Sequence, residues 1–273
     1  MGCLSYFLVA ILVVGCVYLW PKSHKFRYYM KLLYYNTIMV IVSGFLVIPP
    51  SLFRPRDVRN LRPVSLLYKC LFCVFGIDLE LRNEKYLKSD KPYVLVANHQ
   101  SSLDVIPLMT FLPDRCTILA KKELLYAGLF GMGAWLCGLV FVDRLNKDHA
   151  RNTMERVASE LHEKNIKLWI FPEGTRNSGG KMLPFKKGAF HLALQAKVPI
   201  VPLVISTYKA FYDKKNKIFE KGKMIVEALP PIEYSDSLDA GDLAVKVREQ
   251  MVDKFEEISK ETLSAYPPLQ SRI

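Results

Sequence analysis

Two long uncharged runs near the N-terminus restrict most strongly what this 273-residue chain can fold into. Leu4–Trp20 extends for 17 residues and Leu32–Phe53 for 22 residues without a charged side chain. The first run is at the short end for a membrane-spanning helix, and the second is long enough to span. A secretory signal peptide is not expected, because no basic segment precedes the first run. We therefore expect the N-terminal region to insert two helices into lipid.

The two runs are joined by the basic segment Pro21–Lys31, and a second basic segment, 54–62, follows them. Residues 1–62 hold eight cations and one acid, a net charge of +7. Two full spans would put the basic segments on opposite sides of the membrane, where the positive-inside rule gives no orientation. A helical hairpin that dips into one leaflet would put both on one anionic face. The sequence slightly favours this hairpin, and both arrangements stay open.

The charge of the whole chain is +12, and residues 181–223 contribute +8 of it with ten lysines and two acids. A basic protein can bind nucleic acid, an anionic membrane or a small anionic substrate. The first basic block alternates with apolar runs, which favours a membrane, and the basic residues lack the aromatic interleaving of a nucleic-acid groove. No nucleic-acid partner is expected. The six cysteines include a lone Cys70-x-x-Cys73, so neither a disulfide scaffold nor a zinc or other metal site is expected.

After Arg62 the pattern changes to short apolar runs that alternate with amphipathic stretches. The apolar runs predict buried strands, and the stretches predict helices with one apolar face. This alternation predicts an α/β domain at 63–273, a mostly parallel sheet flanked by helices, preceded by the membrane-anchoring hairpin at 1–62. The predicted strands are 93–97, 167–171, 199–205 and 224–229, and the predicted helices include the apolar faces at 150–161 and 243–258.

A third uncharged run, Leu124–Val142, is 19 residues long and contains four glycines. Its length would allow a membrane span, whereas its glycines suit close packing as well as lipid. The favoured interpretation is a helix that packs on the domain or touches the interface, followed by a strand at 139–142. A third membrane span stays open as the alternative.

The first candidate for chemistry is Asn98–Asp104, which directly follows the predicted strand at 93–97. Loops at the carboxyl ends of strands build the sites of α/β sheets. His99 could take a proton from an alcohol, and Asp104 could hold its ring tautomer. The alternative is that Ser101-x-x-Asp104 is only a helix capping box. Pro107 fits that alternative poorly, because it would lie inside the helix without an N–H donor.

The second candidate, Phe171–Arg176, again lies at the end of a predicted strand. Gly174 allows a ligand to approach the backbone, and Arg176 offers a planar fork that suits phosphate. An ordinary polar turn is the alternative. A nucleotide-binding P-loop is excluded, because the glycine at 179 is followed by Gly180 rather than by Lys and Ser or Thr.

These blocks occur in order with two others, Gly138–Arg144 and Val198–Pro202. Together they resemble the glycerolipid acyltransferase family, and more closely the 1-acyl-sn-glycerol-3-phosphate acyltransferases of the animal endoplasmic reticulum. The resemblance covers nearly the whole chain. It implies an endoplasmic reticulum membrane enzyme that transfers an acyl group from acyl-CoA to the sn-2 hydroxyl of lysophosphatidic acid, giving phosphatidic acid. Acyl-CoA would be a co-substrate, and no cofactor is expected.

The resemblance also assigns roles to residues. His99 is implied as the general base and Asp104 as its partner, while Glu173, Gly174, Thr175 and Arg176 are implied in phosphate binding, with Arg144 assisting. A secondary alcohol is a poor nucleophile, so a positioned base helps, typically by ~10²–10⁴-fold. Backbone N–H groups after His99 are expected to hold the oxyanion.

Two other functions stay open at this point. The nearer is an acyltransferase of the same family that uses glycerol 3-phosphate or another lysophospholipid as its acceptor. The more distant is a non-catalytic membrane protein that binds anionic lipid. Intact His99 and Asp104 argue against the second.

Overall fold

The computed structural model describes residues 2–267 and forms a mostly parallel sheet flanked by helices, as expected. The helices are α1 (Gly2–Lys22), α2 (His24–Ile41), α3 (Ile48–Ser51), α4 (Leu61–Phe72), α5 (Val105–Thr110), α6 (Gly128–Leu136), α7 (Lys147–Glu163), α8 (Gly188–Gln195) and α9 (Ala240–Ala265). The strands are β1 (Ile77–Arg82), β2 (Val94–Ala97), β3 (Cys116–Lys121), β4 (Val140–Val142), β5 (Lys167–Ile170), β6 (Ile200–Ile205), β7 (Tyr212–Asp213), β8 (Ile218–Phe219) and β9 (Gly222–Ala228).

The main sheet has the strand order β1-β9-β6-β2-β5-β3-β4. The five strands from β6 to β4 run parallel, whereas β9 is antiparallel to β6 and parallel to β1. In the centre, Leu95 of β2 lies opposite Trp169 of β5 and Val201 of β6. All four predicted strands are thus present. The parallel strands β2, β5 and β6 have their carboxyl ends at one edge of the sheet, whereas the antiparallel β9 ends at the other.

The central strand β2 is apolar on both faces because both faces of the sheet are covered. Leu95 and Ala97 point into one core layer, which α2, α4 and α5 cover. Val94 and Val96 point into the other, which α7, α8 and α9 cover. Both predicted helical faces are buried there: Val157, Ala158 and Leu161 of α7, and Leu243, Val247, Met251, Phe255 and Ile258 of α9.

The N-terminal helices differ from the prediction in how they are joined. Pro21–Lys31 is not a linker, because α1 continues to Lys22 and α2 begins at His24, with only Ser23 between them. The Ser23 side chain accepts a hydrogen bond from the Phe26 N–H, which lets a new helix begin at once. The hairpin itself stays a prediction.

Within the described residues, one helical stretch, His24–Ser51, is long and apolar enough to cross a membrane. It is made of α2, the π-helical turns of Val42–Val47 and α3. One side of it is buried against the α/β domain through Tyr28, Tyr35, Ile38 and Val42, which share a core with the sheet. The other side exposes large apolar side chains such as Phe45. The domain boundary at residue 62 stays a prediction, but the core crosses it.

The third uncharged run folds as the favoured interpretation predicted. It forms α6, a helix of nine residues, followed by the strand β4. Nine helical residues extend for only about 14 Å, about half of a hydrocarbon core, so a third span is wrong. Gly133 allows α6 to pack closely, since a Cβ there would lie 3.2 Å from the Ser43 side chain.

Candidate active site

Three loops that carry polar side chains meet at one edge of the sheet. They follow β2, β5 and β6, which are adjacent and parallel, and they begin at Asn98, Phe171 and Ser206. The buried Asn98 side chain joins two of them, because its Nδ2 donates to the Ile205 carbonyl at 2.9 Å and its Oδ1 accepts from the Ile205 N–H at 2.8 Å. The loop geometry is therefore set by the strand ends.

His99 and Asp104 form a close pair at this edge of the sheet. The distance from His99 Nδ1 to Asp104 Oδ2 is 2.5 Å. The Asp104 side chain is 2% exposed and the His99 side chain 19% exposed. The imidazole also stacks on Phe171, with ring centroids 4.1 Å apart. With Nδ1 bound to the carboxylate, Nε2 is the nitrogen left to accept a proton, which is the arrangement of a general base.

Four donors hold the Asp104 carboxylate. Besides the His99 ring, they are the Gln100 N–H at 2.8 Å, the Ser101 N–H at 3.1 Å and the Tyr208 hydroxyl at 2.5 Å. The bond from Ser101 completes a capping box, so Asp104 both caps a helical turn and holds the histidine. The two alternatives posed by the sequence are therefore compatible.

Pro107 does not oppose this cap. It is the third residue of α5, where its missing N–H costs little because the N–H groups of a first helical turn have no partner within the helix.

Three of the backbone N–H groups that follow His99 donate within their own loop. Gln100 and Ser101 donate to Asp104, and Leu103 donates to the Ser101 hydroxyl. The N–H of His99 itself donates to Glu173. These four N–H groups therefore have partners in the protein, and the expectation that backbone N–H groups after His99 hold the substrate oxyanion stays a prediction.

Glu173 positions the loop Asn98–Asp104, the candidate catalytic loop. Its buried carboxylate accepts the His99 N–H at 2.6 Å through Oε1 and the Leu183 N–H at 2.9 Å through Oε2. Burial raises the pKa of this carboxyl, while the two N–H groups oppose the shift. The role of Glu173 in phosphate binding stays a prediction. Its contacts connect the loop after β5 to the backbone of His99.

The remaining predicted residues lie together in the loops after β4 and β5. The Arg144 guanidinium donates to the Gly174 carbonyl. Gly174 adopts the left-handed φ of +72°, and a Cβ there would lie 2.7 Å from the Lys186 side chain, so this position needs glycine. Thr175 and Arg176 are exposed and make no side-chain hydrogen bond within residues 2–267. Arg176 is thus available to an anion.

Sequence reasoning missed Tyr208 and Tyr35. Tyr208 comes three residues after β6 and donates to the Asp104 carboxylate, and burial together with the charge of Asp104 raises its pKa well above 10. Tyr35 of α2 donates to the Ser102 carbonyl at 2.7 Å, which attaches the apolar helix to the same loop. Polar residues directly after a third buried strand were the available signal for Tyr208, whereas nothing local marks Tyr35.

Within the described part of the chain, no group of three or more His, Cys, Asp or Glu side chains is placed to hold a metal ion.

Comparison with known proteins agrees with this geometry. A family model described as Acyltransferase matches residues 78–206, which include β2, β5 and β6 with the catalytic loop. The chain is 43% identical over 243 residues to human 1-acyl-sn-glycerol-3-phosphate acyltransferase alpha, covering 88% of this chain and 86% of that one. This chain belongs to the family of 1-acyl-sn-glycerol-3-phosphate acyltransferases. The protein is an acyltransferase, as the resemblance predicted.

Two further relatives are more distant. The acyltransferase is 41% identical over 195 residues to the Saccharomyces cerevisiae 1-acyl-sn-glycerol-3-phosphate acyltransferase, covering 70% of this chain and 64% of that one. Its fold matches the crystal structure of the 1-acyl-sn-glycerophosphate acyltransferase PlsC from Thermotoga maritima, with a TM-score of 0.72 and 25% identity. That match covers 86% of this chain and 98% of PlsC. The fold class of the α/β region is confirmed.

Proposed function

We propose that this acyltransferase moves an acyl group from acyl-CoA to the sn-2 hydroxyl of 1-acyl-sn-glycerol 3-phosphate, lysophosphatidic acid, and produces phosphatidic acid and CoA. The observation that carries the proposal is the His99–Asp104 pair, with Nε2 free at the edge of the sheet and basic side chains beside it. The names of the relatives support the acceptor.

The reaction follows from the geometry of the pair. His99 Nε2 accepts the proton of the acceptor hydroxyl as that oxygen attacks the thioester carbon. Asp104 stabilises the imidazolium that forms, and its four donors keep it in place during the step. The tetrahedral intermediate then expels the CoA thiolate, which takes the proton back from His99. No covalent enzyme intermediate is required, because the thioester already has a good leaving group.

Arg176 and Arg144 are proposed to bind the acceptor phosphate. Arg176 lies in the loop after β5, next to the catalytic loop, and Arg144 reaches that loop from β4 through its bond to Gly174. A guanidinium can form two parallel hydrogen bonds to a phosphate. The Arg144 bond to the Gly174 carbonyl holds the two loops together, which would keep both arginines near one anion.

The enzyme is proposed to work at the endoplasmic reticulum membrane. The stretch His24–Ser51 is apolar, and its exposed side continues in large side chains that include Phe53 and Trp135. The Tyr35 bond to Ser102 places this stretch beside the catalytic loop, so a lipid acceptor would reach His99 from the bilayer. Subcellular fractionation with alkaline extraction tests this point, and release into the soluble fraction would contradict it.

The activity is tested by giving oleoyl-CoA and a panel of acceptors to membranes that contain the full-length protein. The panel holds lysophosphatidic acid, glycerol 3-phosphate and lysophospholipids with head groups, and products are identified by mass spectrometry. We expect phosphatidic acid with the new acyl group at sn-2. A faster reaction with another acceptor would replace the proposed substrate, and absence of all products would leave a lipid-binding protein.

A further inference from the structure

An open cavity of about 340 Å³ lies directly beside the catalytic loop. Its walls come from the loop after β2, the loop after β5, and the segment that runs from β6 through the β7–β8 hairpin. The lining residues on the catalytic side are Gln100 and Ser101, which follow His99 in the chain. The Gln100 side chain donates to the carbonyls of Ile205 and Ser206 at 3.1 and 2.9 Å, so the catalytic loop and the β6 segment form one continuous wall.

The cavity is basic. Lys209, Lys214 and Lys215 line it, and Asp213 is the one acidic residue among its lining residues. The Asp213 carboxylate is already bound locally, since it accepts the N–H and the side-chain amide of Asn216 at 3.0 and 2.7 Å. Within the described residues, no carboxylate pairs with the ammonium group of any of the three lysines. Three cations therefore line one open space, and none of them forms an ion pair with a carboxylate of the described residues.

The sheet order separates these lysines from Arg144. β2 lies between β6 and β5, and the lysines follow β6, whereas Arg144 follows β4 at the far edge beyond β5. The proposed reaction has two anionic substrates, and the active site has basic groups on both sides of His99. A second anion site on the β6 side is therefore consistent with the chemistry.

We propose that this lysine-lined cavity binds the pyrophosphate and 3′-phosphate of the acyl-CoA donor. The inference rests on the proposed function and assigns a site to its second substrate. A polyphosphate at the protein surface suits several flexible ammonium groups, whereas a single phosphate in a fixed position suits the arginine fork. The flexible pantetheine arm would lead from the cavity past Gln100 and Ser101 to the thioester at His99.

The anionic bilayer surface is the other source of phosphate near these lysines. The hairpin lies against α2, where the Tyr28 and Tyr212 rings stack with centroids 6.0 Å apart. The lysines, however, surround a concave space next to the catalytic loop, which fits a bound small molecule better than a flat lipid surface. The experiment below separates the two sources.

The test compares the double variant Lys214→Ala/Lys215→Ala with the full-length wild type in detergent micelles. Both lysines are exposed in the hairpin turn, so folding is expected to survive. The control, Lys85→Ala/Lys88→Ala, removes the same charge from exposed positions before β2, at the opposite end of that strand. The donors are oleoyl-CoA, oleoyl-3′-dephospho-CoA and oleoyl-pantetheine, which share one thioester and differ in their phosphates.

We expect the double substitution to raise the KM for oleoyl-CoA about fivefold or more, because two exposed charge contacts to phosphate are lost. The KM for the dephospho donor should rise less. The kcat/KM for oleoyl-pantetheine and the KM for lysophosphatidic acid should stay within about twofold of wild type, and the control variant should match wild type throughout. Binding of CoA alone, measured by equilibrium dialysis, should weaken in parallel and should weaken further as salt rises.

Equal loss with all three donors would overturn the proposal, because the lysines would then act on the fold or on the micelle surface. A rise in KM for lysophosphatidic acid alone would assign the cavity to the acceptor phosphate instead. If the wild type binds CoA through these lysines but forms no phosphatidic acid, the proposed acceptor fails while the donor site stands.

Discussion

The substitution Asp104→Asn separates two ways in which the carboxylate can help His99. Oδ2 of Asp104 accepts from the His99 ring and from the N–H groups of Gln100 and Ser101. Oδ1 accepts from the Tyr208 hydroxyl at 2.5 Å and shares the Ser101 N–H at 3.2 Å. An asparagine is expected to keep its oxygen at the Oδ2 position, where three donors face it. Its amide nitrogen then faces Tyr208, whose hydroxyl can accept as well as donate. The proton therefore stays on Nδ1, and only the negative charge is lost.

The expected loss of kcat follows from replacing a charged hydrogen-bond acceptor with a neutral one. A hydrogen bond to a charged group contributes about 1.5–3 kcal/mol and a neutral one about 0.5–1.5 kcal/mol, and the forming imidazolium adds a further charge interaction in a site where Asp104 is buried. A total of about 2–4 kcal/mol corresponds to a loss of roughly 30- to 1000-fold in kcat. Where the same change reverses the ring tautomer, as in a serine protease triad, the loss is about 10⁴-fold.

The assay is the initial rate of phosphatidic acid formation from oleoyl-CoA and lysophosphatidic acid at saturation, with thermal unfolding measured on the same samples. Asp78→Asn is the matched control, because Asp78 is an exposed carboxylate in the edge strand β1. If the folded Asp104→Asn variant loses less than about fivefold in kcat, the negative charge of Asp104 does not stabilise the imidazolium of His99. A loss near 10⁴-fold would refute the argument that the backbone donors preserve the tautomer.

Three further predictions follow from contacts around the site and the N-terminal helices. Tyr208→Phe should lower kcat about tenfold, because Asp104 loses a hydrogen-bond donor. The control Tyr93→Phe should lower the Tm but leave kcat within about twofold, since the Tyr93 hydroxyl donates to the Leu87 carbonyl away from the site. Equal effects of the two substitutions on kcat would contradict this. Arg176→Lys should raise the KM for lysophosphatidic acid about fivefold or more with the KM for oleoyl-CoA steady, and equal changes would indicate a structural turn. Deletion of residues 2–22 should leave kcat nearly unchanged. A chain that begins at Pro63 should lose its cooperative unfolding transition, because α2 completes the core. If the chain that begins at Pro63 unfolds cooperatively and is active, this prediction is refuted.

Much of the α/β domain could be predicted from the sequence because its central strands are buried on both faces. Strands such as β2 and β6 are continuous apolar runs that end in polar loops, and this pattern is visible without a structure. The strands β1 and β3 were missed, since β1 alternates with charged residues at the sheet edge and β3 ends in a lysine. Their place depends on pairing with β9 and β5, which lie far away in sequence.

The site was predictable to the extent that its residues follow strands. His99 and Asp104 are five residues apart, so their pairing is a local property of one loop. The bond from Tyr208 is not local, because it depends on β6 lying next to β2. The partner of the His99 N–H was also hidden, since it depends on Glu173, which follows β5, being folded into the interior.

The N-terminal region shows the limit of composition as a guide. Uncharged runs identify apolar helices, but they do not tell which side packs on protein. Lys31 illustrates this limit, because it is buried and its ammonium donates to the Phe75 carbonyl at 3.2 Å, whereas the sequence pattern placed it in a basic linker. Tertiary contacts of this kind carry no local signal.

The central claim, that His99 is the general base, is tested most directly by the kcat of His99→Ala in the full-length, membrane-bound protein. Oleoyl-CoA and lysophosphatidic acid are supplied at saturation, and phosphatidic acid is quantified by mass spectrometry beside a measurement of thermal unfolding. The account predicts a folded protein whose kcat has fallen by about 10²-fold or more. A folded variant that keeps more than about a tenth of the wild-type kcat would contradict it, because a base worth that factor could not then be His99.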